Sequence, residues 1–157
     1  MPNWCSNTLT LTHDEPAMIK RVEASFSEGR LLEEFVPMPK GADWYSHNIE
    51  HWGTKWDVGD KDGIHDLSEN SISLYFDSAW APPVSAYKKL EEMGFTVRAM
   101  YHEPGMAFAG IYEDGNDDYY EFNDSSVQEV REQLPKELDE AFGISEWMED
   151  INEDIEE

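Results

Sequence analysis

Ser71-Ile72-Ser73-Leu74-Tyr75-Phe76-Asp77 alternates cleanly, with Ile72, Leu74 and Phe76 on one side and Ser71, Ser73 and Asp77 on the other. That period of two is the pattern of a half-buried strand, and what flanks it decides the fold. Downstream, Pro82-Pro83 opens a helix that carries Val84, Tyr87 and Leu90 on its inner face and stops at Gly94. Phe95 to Tyr101 is the next strand. Upstream, Asn7 to Thr12 (N-T-L-T-L-T) is a strand with Leu9 and Leu11 on one face. Asp14-Glu15-Pro16 then starts a helix with Ile19, Val22 and Phe26 at helical spacing, ended by Gly29. Phe35 to Pro39 is extended, because each proline moves its predecessor out of the helical region, and residues 40–51 read as an ordered loop or short helix. Trp52 to Val58 reads as a strand, with Trp52, Thr54 and Trp56 sharing one face and Lys55 on the other. Asp60 to Gly63 is a turn.

The order is strand, helix, strand, strand, helix, strand. It predicts an α+β, ferredoxin-like antiparallel sheet of the split βαβ type, with both helices on one face. Met106 to Tyr112 and Tyr119 to Phe122 add a hairpin around E-D-G-N-D-D. From Asp124 a helix carries Val127, Val130, Leu134, Leu138 and Phe142 on one stripe, and Pro135 breaks it. After Gly143, the residues Ile144, Trp147, Met148, Ile151 and Ile155 form a second apolar stripe whose polar face is entirely acidic. The expected organisation is a ferredoxin-like unit over residues 1–122 and an acidic helical extension of the same domain over 123–157.

Acids outnumber Lys and Arg by 35 to 11 in this 157-residue chain, a net charge of −24. From Glu113 onward the chain holds 18 acids against Arg131 and Lys136, a net −16, so the acidity is a C-terminal feature. Direct binding of nucleic acid or of an anionic membrane needs a basic patch, and Lys20-Arg21 and Lys88-Lys89 are both flanked by acids. A basic protein is the expected partner, since complementary fields speed encounter. The single cysteine, Cys5, forms no internal disulfide and reads as a small buried hydrophobe of a reducing compartment. The opening MPNWCSN lacks a basic segment followed by an apolar run, and no run approaches the roughly 20 apolar residues of a membrane span. A cytoplasmic protein is expected.

Three segments, MPNWCSN (1–7), WGTKWD (52–57) and FDSAWAPP (76–83), with the weaker HEPGMAFAGIY (102–112), resemble the YubB-like family of bacteriophages and conjugative plasmids. The resemblance spans residues 1–122 and implies a ferredoxin-like domain, a mobile-element context and, therefore, the cytoplasm of a bacterial host. The family usually carries threonine where this chain has Ser78 and serine where it has Ala81. The lost hydroxyl at 81 argues against chemistry in that loop, and the resemblance brings no catalytic residue with it. The acidic segment from 123 onward lies outside it.

Several constellations carry chemistry elsewhere. His47-Asn48-Ile49-Glu50-His51 matches H-x-x-E-H, in which two histidines one helical turn apart hold zinc and the glutamate acts as base. That site needs a rigid helix and a third ligand, and the segment ends at Gly53, so chance is the better account. Asp114, Asn116 and Asp118 have the alternate spacing of a calcium loop, but Tyr119 stands where glycine is needed and Ser125 where the bidentate glutamate belongs. Neither a metal nor a cofactor is expected. Trp52, Trp56 and Trp80 are a candidate aromatic pocket. For Trp52 and Trp56 sheet-helix core is the favoured account, since each such ring buries about 150–250 Å², whereas Trp80 at the strand-to-helix junction reads equally as core or pocket. Lys55, opposite the rings, is expected in solvent.

The acidic tail is the leading candidate. Residues 144–157 carry Glu146, Glu149, Asp150, Glu153, Asp154, Glu156 and Glu157 and no base. As a helix rising 1.5 Å per residue they present roughly one charge per 3 Å, near the spacing along a single nucleic-acid strand (about 3.4 Å). Those seven acids and Trp147 are the expected partner-binding residues. The resulting expectation is a non-enzymatic accessory protein that inhibits a basic nucleic-acid-handling host protein by acidic mimicry. The alternatives are a small-ligand or metal-dependent activity at the Trp80 loop and the His47/His51 segment, and a homo-oligomer built on the apolar stripe of the tail.

Overall fold

The computed structural model describes residues 3–156, with side chains through Ile151. Its centre is a six-stranded antiparallel sheet: β1 (Trp4–Thr12), β2 (Ile64–Leu67), β3 (Ser71–Ala79), β4 (Thr96–Glu103), β5 (Phe108–Glu113) and β6 (Asn116–Glu121). The spatial order is β2-β3-β1-β4-β5-β6. Strand β3 lies between β1 and β2, and β1 lies between β3 and β4, which is the split βαβ arrangement. Each split is crossed by helix: α1 (Pro16–Ser27) and α2 (Leu31–Phe35) follow β1, and α4 (Val84–Glu92) joins β3 to β4. A short helix, α3 (Trp44–His47), precedes β2. The chain is thus a mixed α+β fold on an antiparallel sheet.

Alternation along β1 sorts the side chains. Leu9 lies opposite Leu74 and Ala99, and Leu11 opposite Ile72 and Val97, all at 2 % exposure or less. Onto this face pack Ile19, Val22 and Phe26 of α1, Leu31, Leu32 and Phe35 of α2, and Ala86, Tyr87 and Leu90 of α4. Each fully buried aliphatic side chain here contributes about 1.5–3 kcal/mol, so this core carries the domain. The other face is divided. Under β4 and β5, Met100, Ala109 and Ile111 meet a second core of Phe122, Val130, Leu134, Leu138 and Ile144. Beside it the sheet stays polar, with the Thr10 and Ser73 hydroxyls hydrogen-bonded at 3.1 Å.

That second core is roofed by α5 (Val127–Gln133), α6 (Lys136–Phe142) and α7 (Ile144–Glu156). Ser126 and Glu129 form a reciprocal capping box that starts α5. Pro135 separates α5 from α6: Leu134 is extended (ψ 141°), as a residue before proline prefers. Gly143, at φ 60°, turns α6 into α7.

Two expectations need correction. The segment 52–58 is not a strand. Helix α3 widens into a single π-type turn, Asn48–Trp52, and Gly53 at φ 89° ends it. Side chains then satisfy the backbone that a ladder would have used. Asn48 Nδ2 donates to the Lys55 carbonyl (2.8 Å), and the Asp57 carboxylate accepts from the Leu32, Glu33 and Val58 amides (2.7–2.9 Å). The strand role falls instead to Ile64–Leu67, four residues with a register shift between Ile64 and Asp66. The hairpin turn is also shorter than expected. Asp114 (φ 49°) and Gly115 (φ 80°) make a two-residue turn of the kind Asp-Gly favours, so pairing begins at Glu113 and Asn116. Asn116 and Asp118 are therefore strand residues rather than ligands of a calcium loop.

Candidate functional site

Helix α7 is docked rather than free. Ile144 is fully buried in the second core and Met148 packs on it. Ser145 anchors the first turn: its amide and hydroxyl both donate to the Asp139 carboxylate (2.7 Å each), and its hydroxyl accepts from Arg131 Nε (3.2 Å). Ile144 and Met148 of the apolar stripe thus face their own domain, whereas Trp147 is exposed and Ile151 half-buried. Of the expected partner-binding residues, Glu146, Trp147, Glu149 and Asp150 are exposed. Glu149 is also engaged by Arg131 Nη2 at 2.7 Å. Glu153, Asp154 and Glu156 continue the helix, but their side chains lie outside the described residues, as does all of Glu157.

Trp147 closes one side of the second core. Its ring meets His102 edge-on (6.4 Å), and His102 stacks on Phe122 (5.9 Å) and lies near Phe142 (5.8 Å). Burial of His102 lowers its pKa from 6.5 to about 4, against a smaller opposing pull from Asp139. The imidazole is neutral at pH 7.

The stretch WGTKW distributes five residues to five tasks. Trp52 is core, 4 % exposed, with its indole N–H donating to the Val36 carbonyl (2.8 Å). Gly53 lies against the start of α4, where a Cβ would meet the Val84 and Ser85 amides at 3.2 Å. Thr54 donates its hydroxyl to the Ala79 carbonyl (2.8 Å) and so holds the end of β3. Lys55 is not in open solvent as expected. Its Nζ sits 4.7 Å from the Trp56 ring centre and 4.8 Å from that of Trp80. Trp56 is not core. It is 39 % exposed and packs on Trp4, ring centres 5.9 Å apart.

Trp56 and Trp80 (40 % exposed) thus flank the Lys55 ammonium, and Trp4 (45 %) extends this exposed cluster through Trp56. Of the expected pocket, the structure brings Trp56 and Trp80 together and sets Trp52 apart. Sequence reasoning missed Trp4, although the alternation of β1 puts it on the face opposite Cys5 and Leu9. Trp80 adopts φ 69°, costly for a bulky residue. Its loop is tied down on all sides: the Trp80 amide donates to the Asn3 carbonyl (2.8 Å), and the Ser78 hydroxyl donates to the Ala81 carbonyl (2.7 Å). Asn7 Nδ2 donates in turn to Ser78 Oγ (2.9 Å). The Ser78 hydroxyl is a buried brace. Nearby Cys5 is fully buried, and burial pushes its thiol up to about 12, so no thiolate is present at neutral pH.

Trp4 also walls a groove of about 410 Å³ that Asp57, Asp60, Asp62, Tyr75 and Asp77 line. Burial raises the pKa of Asp57, against the three amides that bind it. Asp60, Asp62 and Asp77 are exposed.

The H-x-x-E-H segment does not form a zinc helix. His47 is buried against Trp52 (5.8 Å) with Nδ1 3.3 Å from Asn48 Oδ1, while Glu50 points to solvent. The His47 and His51 rings lie 4.9 Å apart. Among the described residues no three His, Cys, Asp or Glu side chains are grouped to hold a metal, and no helix is long and apolar enough to cross a membrane.

No protein-family model and no curated protein matches this chain. Among solved structures it is similar to the crystal structure of a protein api92 from Yersinia pseudotuberculosis, of family DUF1281. The identity is 21 % over 59 % of this chain, with a TM-score of 0.41, and the alignment spans 39 % of that protein's chain.

Proposed function

We propose that this chain is a non-enzymatic accessory protein of a phage or plasmid. In this reading it binds a basic, nucleic-acid-handling protein of the bacterial host, such as a defence nuclease or complex, and blocks it by presenting carboxylates where phosphates would sit. The observation that carries the reading is the acidic roof over the second core. Glu129, Glu132, Glu137, Glu140, Glu146, Glu149 and Asp150 are exposed on α5–α7, against two cations on those helices, Arg131 and Lys136. Arg131 is held by Glu149 and Lys136 reaches Glu140 (3.7 Å). Because Ile144 and Ser145 dock the first turn of α7, the backbone that carries Glu146, Glu149 and Asp150 is ordered before binding, which lowers the ordering cost. The mobile-element context comes from the resemblance in the first 122 residues.

The test is capture from host lysate at physiological salt. The wild-type chain is expected to retain a basic nucleic-acid-binding protein. The combined change Glu146→Gln, Asp150→Asn, Glu153→Gln and Asp154→Asn is expected to release it with the circular dichroism unchanged. Recovery of no such protein by the wild type would sink the reading.

A further inference from the structure

We propose that the groove walled by Trp4 is a docking site for an arginine side chain on an exposed basic segment of a protein partner. The occupant is the basic partner proposed above, so the inference rests on that reading, but it uses a surface on the opposite flank of the sequence from the acidic tail.

Three exposed indoles in one cluster are unusual, because tryptophan is on average highly buried and is the residue most enriched at binding hot spots. The cluster is not a folding by-product. Trp80 is held at φ 69° by a braced loop, and Trp4 and Trp56 pack on each other rather than into the core. Its chemistry is already displayed once: Lys55 places its ammonium over the faces of Trp56 and Trp80, the geometry in which a cation is drawn to an indole quadrupole. Trp4 packs on Trp56 and lines the groove.

What the groove adds is negative charge. Asp77 lies on β3 opposite Ser6 of β1, on the same sheet face as Trp4, while Asp60 caps the short helical turn Lys61–Gly63 and Asp62 lies within it, both lining the same groove. Asp60 Oδ1 accepts from the Asp62 amide (3.0 Å), whereas no described cation pairs with Asp62 or Asp77. An indole face beside unpaired carboxylates is what a guanidinium requires, since it stacks flat and donates a fork of N–H bonds. An ammonium is a compact, more strongly hydrated charge with neither the flat face for stacking nor the paired N–H fork. A basic segment is also drawn to this molecule by its net charge of −24.

The experiment is a titration of the full chain, followed by calorimetry, with three short unstructured peptides that differ at two positions: arginine, lysine or citrulline. The arginine peptide is expected to bind saturably at physiological salt, the lysine peptide about tenfold more weakly, and the citrulline peptide not measurably. Trp4→Ala and, as a surface change that leaves every described hydrogen bond of the fold in place, Asp77→Asn are each expected to weaken the arginine peptide about tenfold. The tail variant described above is expected to bind it normally, which separates failure of this site from failure of the tail. Absence of saturable binding, equal binding of arginine and lysine peptides, or undiminished binding to both Trp4→Ala and Asp77→Asn overturns the proposal.

Discussion

Gly53 shows how much of the aromatic cluster depends on one backbone conformation. Its φ of 89° is a region that residues with a Cβ rarely adopt, and the added carbon would press on the Val84 and Ser85 amides. Gly53→Ala is expected to cost about 1–2 kcal/mol in urea unfolding, and to move Trp56 away from Trp4 because the turn leading to it can no longer close. His102 makes the second argument at this scale. Its pKa is lowered in the folded state from 6.5 to about 4, so between those values the unfolded chain binds the extra proton. Its contribution is complete above pH about 6.5 and is lost as the pH falls toward 4, by about 3 kcal/mol at most. His102→Phe is expected to flatten the stability profile between about pH 6.5 and 5, above most carboxylate titrations. An unchanged slope in that variant would assign the effect to another group.

At the scale of elements, the second core is small and separate. Six buried residues hold three short helices to the sheet, and Leu138, fully buried, contacts both. Leu138→Ala is expected to cost about 2–4 kcal/mol. Hydrogen exchange should quicken first in α5–α7 while β1, β3 and β4 stay protected, and uniform quickening would show instead that the two cores unfold as one. This division also explains what was legible beforehand. Strands β1, β3 and β4 and helices α1 and α4 announce themselves because each has one apolar face and a clear stop. Pro135 and Gly143 marked the ends of α5 and α6 for the same reason. The strand β2 did not, since Ile64–Leu67 is a short edge whose residues are mostly exposed. Trp52, Thr54 and Trp56 imitated its alternation while each side chain answered to a different neighbour. Of the candidate site, Trp80 and the tail acids were readable as unusual residues. The meeting of Trp4, Lys55 and Trp56 was not, because it depends on a loop conformation that no periodicity encodes.

For the whole molecule, the distribution of charge follows the architecture. The acids that dominate from Glu113 onward fall on the hairpin β5–β6 and on the roof over the second core, while the aromatic cluster lies toward the other edge of the sheet, near β3 and β1. Both candidate surfaces nevertheless lie on the sheet face opposite Leu9, because Trp4 and Asp77 share that face with Met100 and Ile111 under the roof, so one partner can engage the two from one side. The margins of that sheet carry a further consequence. One is β2, four residues broken by a register shift. The other is β6, which bears Asp117, Asp118 and Glu121. Two copies meeting edge to edge at β6 would set like charges side by side, and at β2 they would find too short a run of free amides to pair. The sheet is thus closed to growth by its own kind, and a chain with 13 % aromatic residues is protected from fibrillar polymerisation by the two strands that contribute least to its core.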